Sequence, residues 1–183
     1  MTNYRRAFIP GGTFFFTVVT YHRRPILTSE PGRVSLREAI RSVQKRRPFT
    51  IDAIVLLPDH LHCIWSLPRG DADFSTRWRQ IKTLFTRSYL SSDECEAESS
   101  TSRAIKQEHA VWQRRFFEHT IQSEEELKRC VDYIHINPVK HGLVEKVSDW
   151  PWSSFHRYVQ MQEYPLDWGG SPEWFGDEWD QYE

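Results

Sequence analysis

The sequence predicts an α+β domain in which a mainly antiparallel sheet carries helices on one face. Two observations carry this expectation. Runs rich in β-branched and aromatic residues alternate with long amphipathic stretches, in the order β, α, β, β, α, β, α. The chain has 183 residues, which suits one domain with a decorated edge and is enough to bury a core without disulfides or metals as staples.

The elements follow in order. Thr13 to Tyr21 (TFFFTVVTY) comes after Gly11-Gly12 and reads as the first strand. From Pro31 to Arg47, the apolar positions Val34, Leu36, Ile40 and Val43 stand on a charged background, which fits an amphipathic helix. Thr50 to Leu57 and Leu61 to Leu67 are apolar runs parted by Pro58-Asp59, read as two strands joined by a tight turn. Phe74 to Leu90 reads as a second helix. Residues 91–102 (SSDECEAESSTS) are acidic, Ser-rich and aperiodic, and are expected to form a mobile loop. Val111 to Ile121 reads as the last strand. Ser123 with Glu126 matches a capping box, with Ser123 as N-cap and Glu126 reaching back. The helix it opens is expected to stop at Ile136 or Asn137, because a proline disfavours helical geometry in the residue before it and Pro138 follows. Gly142 marks a turn, and from Trp150 onward a short helix and a tail are expected. This order suits a ferredoxin-like plan.

The net charge of −1 conceals segregation. Residues 1–50 hold ten Lys/Arg against two acids, Glu30 and Glu38, while residues 161–183 hold seven acids and no Lys or Arg. Such asymmetry fits either a basic surface for a polyanion with an acidic tail, or two solvated ends. Eight tryptophans, several aromatics beside arginine (Trp112-Gln113-Arg114-Arg115-Phe116-Phe117), and that basic surface together favour a single-strand binder with stacking platforms. Cys63, Cys95 and Cys130 are odd in number and lack CxxC spacing, so they make neither a zinc site nor a disulfide framework. With no signal-peptide pattern and no membrane-spanning stretch, a cytoplasmic protein is expected.

Two short patterns can carry chemistry. In Asp59-His60-Leu61-His62-Cys63-Ile64-Trp65, strand alternation puts His60 and His62 on one face, expected to be the polar one, and Leu61, Cys63, Trp65 and Leu67 on the buried one. Two imidazoles side by side on a strand can grip one cation, although most such pairs are simply polar-face residues. In Tyr133-Ile134-His135-Ile136-Asn137-Pro138, helical spacing puts Tyr133 and Asn137 one turn apart on one face. A phenol with a pKa of about 10 is a poor nucleophile at neutral pH, but it can attack phosphorus when a nearby metal polarises the phosphate. Asn137 offers a hard amide oxygen as a third ligand. Taken singly, Tyr133 is as well read as an edge-packing residue and Asn137 as a C-terminal cap. His135 points away from Tyr133 and His119 has no spacing argument, so neither joins the metal set.

In combination, HLHCIW, WQRRFFEHTI, YIHINPVKHGLV and DWPWSSFHRY resemble the REP-associated tyrosine transposases, relatives of the single-strand insertion-sequence transposases, over residues 8–158. The resemblance implies an HUH endonuclease domain at residues 1–158, followed by an acidic, Trp-rich tail at 159–183. It implies that Tyr133 is the nucleophile and that His60, His62 and Asn137 hold Mg²⁺ or Mn²⁺. The substrate it implies is a REP-type hairpin with a single-stranded flank, cut through a 5′-phosphotyrosine intermediate in a bacterial, nucleoid-associated setting, with a monomer slightly favoured over a homodimer. Candidate DNA contacts, placed by charge and motif neighbourhood, are Arg5, Arg6, Arg23, Arg24, Trp112, Arg114, Arg115 and Lys140. Asp59 stands where many relatives have Asn; a carboxylate there could orient a histidine. No P-loop is present, in keeping with a reaction that needs no ATP. The alternatives are a catalytically silent hairpin binder, a nuclease in which water attacks, and an RNA-processing enzyme.

Overall fold

The computed structural model describes residues 9–92 and 111–169. Four strands form one antiparallel sheet: β1 (Thr13–Val19), β2 (Thr50–Leu56), β3 (His60–Ser66) and β4 (Phe117–Ile121), in the order β2-β3-β1-β4. Among the described residues the α-helices are α1 (Glu30–Arg46), α2 (Phe74–Ser91), α3 (Glu124–Lys140) and α4 (Phe155–Gln160). The α+β class and antiparallel sheet match the expectation. The expected acidic loop at 91–102 falls mostly outside the described residues, as do Arg5, Arg6 and the tail beyond residue 169.

The placement of helices differs from the expectation. They cover both faces of the sheet. On one face, Phe14, Phe16, Leu61, Cys63 and Trp65 meet α1 and α2, and Trp65 stacks on Trp78 with ring centroids 4.2 Å apart. On the other, Phe15, Val55 and Ile64 meet Cys130, Ile134 and Ile136 of α3. The physical reason lies in the strands themselves. β1 and β3 are buried at almost every position, and their consecutive apolar runs, Phe14-Phe15-Phe16 and Cys63-Ile64-Trp65, supply apolar side chains to both faces rather than alternating.

Local signals explain the helix limits. Ser29 accepts the Gly32 N–H at 3.2 Å and caps α1, and Asp73 accepts the Thr76 N–H at 2.9 Å and caps α2. Ser123 accepts the Glu126 N–H at 3.1 Å, and Glu126 reaches back to the Gln122 N–H at 2.7 Å. α3 continues through Pro138 to Lys140, past the expected stop. A proline there loses its own N–H bond and crowds the carbonyl four residues back, yet the chain after it stays helical, with the His141 N–H reaching the Asn137 carbonyl at 2.9 Å. The helix stops instead at Gly142, whose φ of +65° allows the Leu143 N–H to reach the Pro138 carbonyl and its own N–H to reach that of Val139, both at 2.9 Å. The strand expected from Val111 is also shorter. Trp112 bridges Thr20, the exposed Gln113, Arg114 and Arg115 bulge outward, and regular pairing resumes at Phe117.

The segment after α3 closes the second core. Residues 152–154 lie along the outer edge of β2, where the Leu56 N–H reaches the Trp152 carbonyl and the Ser154 N–H reaches that of Ile54, both at 2.8 Å. Beyond the expected boundary at residue 158, Tyr164 and Trp168 still pack on this core, and the Tyr164 hydroxyl donates to the Asp132 carboxylate of α3.

Candidate active site

The site lies between β3 and α3. His60 pairs with Val19 and His62 with Thr17 across the β1–β3 ladder, on the sheet face that α3 covers. The two imidazoles are therefore buried, 2% and 0% exposed, rather than on a solvated polar face. Burial changes their meaning, because a buried polar side chain needs partners. Each Nδ1 has one: that of His60 lies 2.6 Å from Asp59 Oδ1, and that of His62 lies 2.9 Å from Thr17 Oγ1. The rings meet edge to face with centroids 4.9 Å apart.

From α3, Tyr133 brings its ring to 5.3 Å from that of His62 and 6.0 Å from that of Phe15. Asn137, one turn on, is fully buried. Among the described residues, the Nε2 atoms of His60 and His62 and the Oδ1 of Asn137 are buried and find no hydrogen-bond partner of their own, although all three side chains are engaged elsewhere. Two imidazole nitrogens whose opposite ring atoms are already engaged, plus an amide oxygen, form a donor set that fits a divalent cation of the Mn²⁺ or Mg²⁺ kind. Among the described residues, no three His, Cys, Asp or Glu side chains converge on a metal site.

Charge around the site is mixed. Burial raises the Asp59 carboxyl, but the hydrogen bonds and electrostatic attraction of the His60 ring and the Arg23 guanidinium outweigh it and hold the group at about 2. Lys140, exposed at the end of α3, puts its Nζ 4.9 Å from the centre of the Tyr133 ring.

A tyrosine on a helix, facing a histidine pair on the central strand with an amide one turn further, is an arrangement suited to phosphoryl transfer. The family of IS200-like transposases matches residues 12–137, a span that runs from β1 through Tyr133 to Asn137. The chain belongs to that family. It is 48% identical over 170 residues to a REP-associated tyrosine transposase of Escherichia coli K12, covering 93% of this chain and 92% of the relative. A solved structure of a REP-associated tyrosine transposase bound to a REP hairpin is 46% identical, with a TM-score of 0.79, covering 96% of this chain and 95% of that one. These relatives place the chain among the tyrosine transposases and agree with its α+β architecture.

The other expected site residues of the transposase fall out unevenly. Arg114, Arg115 and Lys140 are exposed, and Arg24 is half-buried. Arg23 is engaged with Asp59 at 2.9 Å. Trp112 is a correction: it is 5% exposed and packs against Phe85 of α2 at 4.8 Å, so it serves the core and offers no face to a base. Its apolar neighbour Val111 and the bridge to Thr20 turn it inward. Trp65 is likewise core.

His119 lies 2.7 Å from Glu126 Oε1, and His135 lies 2.9 Å from Ser154 Oγ, so both stand outside the donor set. Ser154 Oγ also accepts the Ile54 N–H at 2.9 Å, which ties α3 to β2 through one hydroxyl. Burial, aided by the positive charges of Arg157 and His156, pushes His135 down to about 3, so it is neutral at working pH. Thr17, Ser154 and His141, whose ring lies 5.1 Å from that of His60, were not singled out by the sequence, although His141 and Ser154 fall within its motifs. For Thr17 a signal did exist, since strand pairing places it opposite His62, but it needs the β1–β3 register, which the sequence alone does not supply.

Among the described residues, no helix is long and apolar enough to cross a membrane.

Proposed function

We propose that the chain nicks and rejoins single-stranded DNA beside a REP-type hairpin, with Tyr133 as the nucleophile. The observation that carries the reading is the placement of the Tyr133 ring beside His62, with Asn137 buried one turn further along the same helix. The hairpin is carried over from the 46% identical structure, whose protein is bound to one.

Tyr133 Oη attacks the phosphorus in line. The Oη–P bond forms and the P–O3′ bond breaks. The departing 3′ oxygen gains a proton, and the phenol proton passes to solvent. The product is a 5′-phosphotyrosine, which conserves the energy of the phosphodiester. A 3′ hydroxyl then attacks that phosphorus and regenerates the phenol as the strand is rejoined. His60, His62 and Asn137 would hold a Mg²⁺ or Mn²⁺ ion, which when bound polarises a phosphate oxygen and steadies the charge that develops on it. Thr17 and Asp59 keep the two imidazoles in place, and α3 keeps Tyr133 and Asn137 on one side of them. Lys140 supplies a positive charge beside Tyr133, suited to a phosphate. Tyr133, His60 and His62 lie together on one chain, which favours a monomer over a homodimer.

The test is a denaturing gel of labelled hairpin DNA with a single-stranded flank, run with and without Mg²⁺. The expected result is a covalent protein–DNA band that needs Mg²⁺ and vanishes in Tyr133→Phe, while that variant still binds the hairpin. Cleavage without a covalent band would point to attack by water. Binding with neither band nor cleavage would point to a silent binder, and preference for an RNA hairpin over DNA to an RNA enzyme.

A further inference from the structure

Asp59 ends the turn before β3, and its groups have separate partners. Oδ1 lies 2.6 Å from His60 Nδ1, Oδ2 accepts from the Arg23 guanidinium at 2.9 Å, and the backbone carbonyl accepts from both the Thr20 N–H and the Thr20 hydroxyl at 2.8 Å. Arg23 reaches Asp59 from a loop in which His22 and Arg23 both adopt left-handed backbone geometry, with φ of 54° and 51°. Two consecutive non-glycine residues in that region are uncommon, and such strain persists only where the surroundings enforce it. Here the Thr20 hydroxyl, shared between the Asp59 and Arg24 carbonyls, pins the loop at its base.

An ionised carboxylate only accepts hydrogen bonds. The contact between Asp59 and His60 therefore requires the proton on Nδ1, which leaves the lone pair of a neutral ring on Nε2. That Nε2 is buried and makes no hydrogen bond among the described residues. Both Asp59 oxygens are already committed, so the carboxylate is badly placed to ligate an ion itself.

We propose that Asp59 is a positioning residue for the cation site, holding His60 in the Nδ1–H tautomer with Nε2 presented to the ion, and that Arg23 braces Asp59 rather than gripping DNA phosphate. This rests on reading His60 as a cation ligand. Carboxylate partners of ligating histidines fix ring orientation and raise ligand basicity, and their loss typically costs about 10–100-fold in metal affinity.

The experiment uses the full chain and Mn²⁺ alone as the probe. Calorimetry measures Mn²⁺ affinity for the wild type, Asp59→Ala, Asp59→Asn and Arg23→Ala, and long-range ¹H–¹⁵N spectra of the imidazoles report the His60 tautomer without metal. Circular dichroism confirms that each variant folds. Asp59→Ala is expected to lose about 10–100-fold in Mn²⁺ affinity and to lose the single Nδ1–H signature. Asp59→Asn keeps an acceptor oxygen, so it should retain the tautomer and recover most of the affinity. Arg23→Ala should weaken Mn²⁺ binding by a few-fold and leave the salt dependence of hairpin binding unchanged. Unaltered Mn²⁺ affinity or an unaltered tautomer in folded Asp59→Ala would overturn the role of Asp59. A shallower salt dependence in Arg23→Ala would overturn the bracing role and return Arg23 to the DNA contacts. A wild-type chain that takes up no Mn²⁺ would overturn the cation reading itself, and the proposal with it, whereas wild-type binding matched by the Ala variant would sink the proposal alone.

Discussion

Acid should loosen α3 through His135 before it reaches most carboxylates. The ring is fully buried, bonded to Ser154 Oγ, and held at about 3 by burial and the nearby Arg157 and His156 charges, against an ordinary 6.5. Between those values the unfolded chain binds a proton at this position and the folded chain does not, so stability rises with pH across that window and is lost as pH falls through it. From pH 7.5 to pH 5, one such group removes about 2 kcal/mol. The assay is urea unfolding at the two pH values for the wild type and His135→Gln, whose amide reaches toward Ser154 but does not titrate. The other histidines contribute equally to both proteins and cancel in the comparison. The wild type should lose about 2 kcal/mol more than the variant over this interval. Equal losses would refute the argument that His135 is held neutral in the folded protein. Because His135 lies between Tyr133 and Asn137 on the same helix, cleavage should fall over the same pH range as stability.

Further outcomes follow from the packing and charge. Trp112→Ala should cost about 3–5 kcal/mol of stability, read by denaturant unfolding, because it removes a core ring against Phe85; the folded fraction should bind hairpin DNA as tightly as the wild type. Gly142→Ala should cost about 1–2 kcal/mol, since nothing crowds a Cβ there and the penalty is that of a left-handed φ alone, checked by the shift in thermal midpoint. Lys140→Ala should flatten the slope of log affinity against log salt by about 0.7–0.9 in hairpin titrations, the share of one phosphate contact, and an unchanged slope would remove Lys140 from the DNA surface.

Much of this was legible in the sequence because the signals were local. The strand runs gave the sheet, Ser123 and Glu126 gave the start of α3, and the i, i+4 spacing put Tyr133 and Asn137 on one turn. What escaped depended on contacts between distant segments. Alternation paired His60 with His62 correctly, yet assigned their face to solvent, because only the return of α3 across the sheet buries it. Pro138 looked like a stop when read alone, whereas the hydrogen bonds around Gly142 set the end of the helix. Trp112 stood beside arginines and resembled a stacking platform, but its bridge to Thr20 turns it into the core. Arg23 entered as a candidate DNA contact on charge alone, because its partner Asp59 lies far off in the chain and is brought to it only by the turn before β3.

The most direct test of the central claim is to trap the covalent adduct, digest it, and locate the modification by mass spectrometry. The account predicts one nucleotide-bearing peptide, the one containing Tyr133, linked through a 5′ phosphate. A linkage on any other residue, or a 3′ phosphate on the protein, would contradict it.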